Sequence, residues 1–383
     1  MAITEWYVNG STGTDDLAAG RGESSGDPWA TIVYALDTGI PNTGQGANGD
    51  WLNIAAGTYT ITKALSSTTY GTTYTPSSSR PLYFVGASSS NTTIDGDGTY
   101  SIWNNSTKDY IGFRDLELTN TGSNYILRVD GYCHIVRCSL HNTSSHWVLC
   151  GSYNRIFDCL FYNNSGTTGI ACGFGSKVEG CYFSGTTATP STVVIDFSSL
   201  VGCACKNIIR MLAGQNGIAI RLSGIACEVI NNSIYAAATT GTGIQAVAVN
   251  PTVIGNIIDG FSGTGGNGID LNTGGAARGV LANNAVYNCT TAYTGDTTES
   301  NGWLYVNDNE TLSSSPFTDA ANGDFTPVDT GNVKEGGWPD FTGPFGTQQS
   351  YPWKGAIQPQ AAGGGGTSVY LPTMQGRFGV MES

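Results

Sequence analysis

One short unit, apolar–x–apolar, constrains this chain more than any other feature, because it returns at nearly constant intervals. It reads Leu127-Arg128-Val129, Val148-Leu149-Cys150, Ile170-Ala171-Cys172 and Ile195-Asp196-Phe197, then Ile218-Ala219-Ile220, Ile244-Gln245-Ala246 and Ile269-Asp270-Leu271. Between these runs a second series. It comprises Leu116-Glu117-Leu118, Cys138-Ser139-Leu140, Cys159-Leu160-Phe161 and Cys181-Tyr182-Phe183, followed by Asn207-Ile208-Ile209, Asn232-Ser233-Ile234, Asn256-Ile257-Ile258 and Asn284-Ala285-Val286. A third, weaker series passes through Ile135, Ile156, Val178, Val229, Val253 and Val280. The interval is 21 to 28 residues. Alternation of two inside each unit, with turn residues between units, marks short strands. Three strands per period make one coil of a parallel β-helix. A single coil cannot bury its inward side chains, whereas stacked coils can, at a spacing of about 4.8 Å. A leucine-rich repeat would need its Leu and Asn consensus, and a propeller would need longer blades.

The repeat also accounts for the 10 cysteines. Cys138, Cys159 and Cys181 take the same inward place in successive coils, and Cys150 and Cys172 form a second column. A thiol there acts as a small buried hydrophobe. Stacked strands seldom offer disulfide geometry, so reduced thiols are expected, as in a cytoplasmic folding compartment. From Asn207 onward Asn fills the first column, where an amide stack can hydrogen-bond along the rod. Cys203-Ala204-Cys205 reads as one inward and one adjacent core residue, since C-x-C is not the redox motif C-x-x-C.

Composition narrows the surface. Only 12% of residues are charged, 54 are Gly, and the net charge is −13. Typical domains carry about 25% charged residues, so a protein coated with Lys- and Glu-rich helices is excluded. A 39% apolar content excludes wholesale disorder. The acidic balance argues against nucleic acid, and the lack of a long apolar run argues against membrane insertion. The opening Met-Ala-Ile-Thr-Glu-Trp-Tyr has neither the basic nor the apolar part of a secretion signal, which points to folding in a cytoplasm.

Trp29, Ile32, Val33 and Leu36 follow a helical stripe, which predicts an N-terminal helical cap within residues 1–50. The β-helix is expected over 51–298 and an irregular C-terminal cap over 299–360. Residues 361–383 read as a Gly-rich linker and an apolar docking tail carrying Val369, Tyr370, Leu371, Met374 and Phe378. Several segments then carry a resemblance. Trp6-Tyr7-Val8-Asn9-Gly10, Pro28-Trp29-Ala30-Thr31-Ile32, Gly49-Asp50 and Ala56-Gly57-Thr58-Tyr59 resemble the opening of right-handed β-helix proteins of the pectin-lyase-like superfamily. Val85-Gly86 and Ile94-Asp95-Gly96-Asp97-Gly98 are similar to its next coils, and Ser315 to Phe325 to a closing motif. The resemblance spans about residues 5 to 358 and implies an all-β, single-stranded right-handed parallel β-helix. The superfamily holds lyases, hydrolases, phage tailspikes and non-catalytic surface proteins, so fold alone does not choose among them.

The lyases and hydrolases of that superfamily place their chemistry on an outward strand face. In the first series the outward positions are Arg128, Leu149, Ala171, Asp196, Ala219, Gln245 and Asp270. Asp196 and Asp270, three coils apart at roughly 14 Å, are too far for a carboxylate pair. The second series presents Glu117, Ser139, Leu160, Tyr182, Ile208, Ser233, Ile257 and Ala285, without a cluster. Cys133, His134, Cys138 and His141 have loose zinc spacing, but Cys138 points inward, so no metal site is assigned. Asp95-Gly96-Asp97-Gly98 lacks the distal Glu of a calcium loop and reads as a turn.

Binding is therefore expected before chemistry, and no cofactor is implied. Trp147, Tyr162, Tyr182 and Tyr235 are candidates to stack on a neutral glycan. Leu160, Ile208 and Ile257 form an outward apolar row of the kind that marks an interface, here of a homotrimer. The leading expectation is a non-catalytic spike, fibre or decoration protein on a phage-like virion surface, docked through its tail to another assembly protein. The alternatives are a polysaccharide lyase or glycoside hydrolase of this fold, and a bacterial cell-surface adhesin. The scarcity of cations weighs against an enzyme.

Overall fold

The computed structural model describes residues 3–328 and Val333, apart from 44–47, 66–75, 105–109, 121, 123–124, 165–167, 185–192, 213–215, 238–239, 248–249, 272–278, 296–304 and 308. The tail residues Val369, Tyr370, Leu371, Met374 and Phe378 lie outside the described residues.

The strands build three long parallel sheets of 12, 11 and 9 strands. In a typical coil His134–Val136 enters the first sheet, Ser139–Thr143 the second and Val148–Ser152 the third, before Arg155–Phe157 returns to the first. Each strand pairs with its counterpart one coil away, as Leu140 with Phe161. This is the parallel β-solenoid that the 21–28-residue repeat predicts.

A two-residue corner joins the first sheet to the second. From the coil of Ile111–Arg114 to that of Val280–Ala282 its first residue has positive φ: Asp115, Arg137, Asp158, Gly180, Lys206, Asn231, Gly255 and Asn283, between 51° and 68°. That conformation reverses the chain direction, and each such N–H bonds a carbonyl of the next coil, as Arg137 to Phe157 at 3.0 Å. The residue that follows points inward, which creates the column of Cys138, Cys159, Cys181, Asn207, Asn232, Asn256 and Asn284. All of these are buried. The amides run as a ladder, with Asn232 Nδ2 donating to Asn256 Oδ1 at 3.0 Å and Asn256 Nδ2 to Asn284 Oδ1 at 2.9 Å. Where Cys replaces Asn, the thiol reaches a corner carbonyl, as Cys159 to Phe157 O at 3.1 Å. Stacked rings such as Phe161 on Phe183, 4.8 Å apart, fill the interior between columns.

The sheet begins earlier than the sequence reading places it. Thr4–Val8 already pairs in parallel with Asp50–Ile54. Between them a short helix over residues 32–43 buries Ile32, Leu36 and Ile40, while Val33 is half-buried. Trp29 stacks on Trp6 at 5.5 Å beneath it. Only part of the C-terminal segment lies among the described residues. Phe317–Asp319 and Asp324–Pro327 form an antiparallel hairpin, turned at Gly323 with φ 95°, that lies on the outer face of the second sheet.

Three readings change as a result. The apolar row is not a free interface: Ile257 is fully buried and Ile208 nearly so beneath the hairpin's Phe317 and Phe325, leaving only Leu160 of the row exposed. In Cys203-Ala204-Cys205 it is Ala204 that points inward, so both thiols stand on the outer face. In Ile218–Leu222 the register pairs Asp196 with Arg221, so the outward residue is Arg221 and Ala219 is buried. Ile218 mimics the inward position in sequence, but Ile220 occupies it.

Candidate functional site

The outer face of the second sheet carries two outward residues per coil, because its strands extend beyond the repeat triplet. Pairing aligns Thr93 with Glu117 and Ser139 in one row, and Asp95 with Thr119, His141 and Tyr162 in the other. The part of the floor left uncovered by the hairpin crosses six strands, from Gly57–Thr60 to Tyr182–Ser184, roughly 24 Å along the rod; Thr58 and Thr60 are exposed there, whereas Thr119, Ser139 and His141 at its centre are buried. It ends at a wall. The C-terminal hairpin sets Phe325 edge-on to Tyr182 at 6.4 Å, and the Arg210 guanidinium donates to the Ala321 carbonyl.

At the centre of the floor Glu117 gathers its neighbours. Thr93 Oγ1 donates to Glu117 Oε2 at 2.5 Å, and His141 Nε2 lies 2.7 Å from Glu117 Oε1. A carboxylate at that position holds the proton on Nε2, which leaves Nδ1 with a lone pair. That Nδ1 is buried without a hydrogen-bond partner among the described residues, and so is Oγ1 of Thr119, its neighbour in register. The Tyr162 ring stacks on the His141 ring at 4.5 Å and 9°. Burial pushes the Tyr162 hydroxyl up from its ordinary value; a hydrogen bond with Ser139 opposes the rise and the Glu117 charge adds to it. Tyr162 therefore keeps its proton at neutral pH. Asp95 stands diagonally from Glu117, with roughly 8 Å between their Cα atoms from strand spacing and rise.

This arrangement offers a carboxylate–imidazole dyad, a phenol and a second carboxylate on one hydroxyl-rich face. A pair of carboxylates is what acid–base cleavage of a glycosidic bond uses, and an imidazole is a group that can move a proton near neutral pH. Glu117 and Ser139 face outward where the triplet puts them, and the second outward row falls outside the triplet. His141 and Tyr162 sit one residue past the triplet and two past its outward member, and that period of two is the signal that finds them.

The other sequence candidates separate. Trp147 is fully buried, its indole N–H on the Tyr162 carbonyl at 3.3 Å and its ring against Phe161, so it cannot stack on a ligand. Packing at the corner between the second and third sheets draws it inward. Tyr182 and Tyr235 are half-buried against the hairpin cluster. Tyr162 stands at the centre of the floor and Tyr182 at its end, against the wall. Cys138 faces the core while His134 and His141 occupy different sheets, which disperses the loose zinc spacing. On the third sheet Asp196 and Asp270 remain three strands apart. Arg221 grips Asp196 at 2.9 and 2.5 Å, and Gln245 bonds Asp270 at 3.2 Å, a paired ladder with a structural role.

The molecule is similar in structure to pectate lyase Pel9A, with a TM-score of 0.56 and 14% identity over 94% of this chain and 98% of that one. The shared fold is the parallel β-helix. A second β-helix similar to it is a mannuronic acid specific polysaccharide family 6 lyase from human gut microbiota, with a TM-score of 0.50, 14% identity and 74% of each chain covered. The catalytic domain of a GH87 alpha-1,3-glucanase also aligns, with a TM-score of 0.40 and 12% identity over 80% of this chain and 69% of that one. No protein-family model and no curated protein matches this β-helix.

Proposed function

We propose that this β-helix binds a polysaccharide along the open floor of the second sheet and cleaves it at Glu117, by hydrolysis of a neutral chain. The observation that carries the reading is the convergence of Glu117, His141 and Tyr162 on a floor bounded by the hairpin wall. Asp95 and Glu117 supply two carboxylates at a diagonal separation compatible with acid and base roles. The same negative charge disfavours a polyuronate, whose carboxylates would face them. Thr58 and Thr60 expose hydroxyls suited to neutral sugars at one end of the floor, and Thr93 stands half-buried beside Glu117. The fold shared with polysaccharide-cleaving proteins supports this reading at the level of scaffold only.

Incubation with neutral glucans and with polyuronates tests it. New reducing ends from a neutral glucan, lost in Glu117→Gln, are expected. Ultraviolet-absorbing unsaturated ends from a polyuronate would instead identify a lyase. Binding without cleavage would favour the second reading, an adhesive spike or adhesin carried on a virion or cell surface, which the hydroxyl-rich floor also suits.

A further inference from the structure

We propose that the corner joining the third sheet to the first is a self-association surface, through which two copies of this chain pair antiparallel about a two-fold axis. Among the described residues 10 large apolar side chains are more than a third exposed, and 6 of them lie at this corner: Tyr132, Tyr153, Leu200, Val201, Ile225 and Val247. They follow one another coil by coil. From Tyr110 to the coil of Val247 the ridge takes six steps, roughly 29 Å. The corner stretches 131–133, 152–154, 173–176, 198–202 and 223–227 contain no charged residue. An apolar strip of this length and continuity marks an interaction site.

Backbone strain points the same way. Each coil places one residue of this corner at positive φ, including Tyr153 at 60°, Gly175 at 66°, Val201 at 54° and Asn250 at 58°. A β-branched residue is a genuine outlier in that region. Gly175 and Asn250 show which residues relieve the strain, yet Val201 keeps its side chain there with 52% exposed. An exposed side chain that strains the fold without packing inside it is explained by a contact outside it.

The occupant follows from charge, period and pattern. The chain carries −13, so two copies can approach closely only along an uncharged strip. A second copy repeats with the same rise per coil, so contacts match step after step. The ridge also has unlike halves. Tyr110, Tyr132 and Tyr153 stack at 4.8 and 5.2 Å, whereas the other half is aliphatic. The stacked faces cover one another and expose only edges, which excludes a sugar-stacking platform. A two-fold axis near Gly175 sets Tyr153 of one copy on Val201 of the other, and Tyr132 on Ile225, which buries both halves at once. A parallel trimer would set like on like. The strip is narrower than a standard interface, so the dimer is weak and concentration-dependent. The second-sheet floor faces away from this corner and stays open in both copies.

Sedimentation velocity of the full-length chain over rising concentration tests the proposal. A reversible monomer–dimer equilibrium is expected. Val201→Asp should raise the dissociation constant by roughly tenfold or more, with thermal stability kept or increased because Asp tolerates positive φ. Tyr153→Lys should weaken the dimer similarly. Combining the two should restore it, since the two-fold axis sets the new opposite charges face to face. A chain monomeric at every concentration overturns the proposal, whether its own residues 361–383 or nothing covers the ridge. A trimer, or a dimer indifferent to Val201→Asp, also overturns it, and failure of the combined variant to recover overturns the antiparallel arrangement.

Discussion

His141 Nε2 approaches Glu117 Oε1 to 2.7 Å across adjacent coils, although the two residues are 24 apart in sequence. One turn of the solenoid thus turns a sequence separation into a catalytic-scale distance. The carboxylate accepts from Nε2–H, and Nδ1 is buried without a hydrogen-bond partner among the described residues.

Glu117→Gln keeps the shape and the bond from Thr93 but removes the charge that orders His141. On a polysaccharide that the protein cleaves, turnover should fall by roughly a hundredfold or more, the usual scale of a lost acid–base group. His141→Asn should fall alongside it, and the double variant should lose little further, because the two act as a unit. Steady-state kinetics with circular dichroism as a fold control checks this. Single losses that multiply in the double variant would separate the pair.

The amide ladder makes a stability prediction. Asn256 Oδ1 accepts from Asn232 N and Asn232 Nδ2, while Asn256 Nδ2 donates to the Val229 carbonyl at 3.0 Å. Asn256→Ala takes these partners from Asn232 N and the Val229 carbonyl, while Asn232 Nδ2 keeps its bonds to the Ala204 and Ile230 carbonyls; at about 1–3 kcal/mol for each stranded group before relaxation, a loss of about 3–4 kcal/mol is expected. Cys159→Ala, which removes one weak thiol donor and a sulfur atom, should cost about 1–2 kcal/mol. Urea denaturation ranks the two, and equal losses would mean that the ladder adds nothing over the thiol column.

The repeat made the architecture legible because each inward column is one residue wide and recurs at a nearly fixed interval. Cys138, Cys159, Cys181 and the Asn column lie where that interval puts them. Register within a strand was less legible: Ile218-Ala219-Ile220 fits the pattern as well as Ile220-Arg221-Leu222, and only pairing with Asp196 decides. The C-terminal hairpin was the larger gap. Phe317 and Phe325 carry no period, so nothing local shows that they cover Ile208 and Ile257. Trp147 failed for a similar reason, since a corner residue can turn either way and the cavity beside Phe161 settles it.

Arg221 gives a further test of register. Asp196 is buried, and Arg221 supplies two bonds to its carboxylate. Arg221→Ala strands that carboxylate and should cost about 2 kcal/mol, reduced from the fully buried case because the guanidinium is partly exposed. Replacing both Asp196 and Arg221 with Ala should cost less than the two single changes summed. A double-mutant cycle measures this, and strict additivity would mean that the two side chains do not meet.

Asp259 supplies the last prediction. It is buried beneath the hairpin, and Ser315 Oγ donates to its carboxylate at 2.9 Å. Burial pushes its pKa up to about 6, with the Ser315 hydrogen bond opposing the rise. The folded chain therefore holds this proton more tightly than the unfolded chain does, so the native state binds more protons across the interval between the two values. Stability is then highest below the unfolded carboxylate value, falls as pH rises from about 4 through about 6, and levels off above. The span corresponds to roughly 2–3 kcal/mol. Asp259→Asn keeps a hydrogen-bonding partner for Ser315 without the charge. It should flatten this part of the pH profile and stabilise the protein at pH 7 by roughly 2 kcal/mol. Hydrogen exchange of residues 317–327 should slow in the same variant at pH 7, because the hairpin then covers a neutral group. An unchanged slope between pH 4 and 6 in Asp259→Asn would place the titration elsewhere.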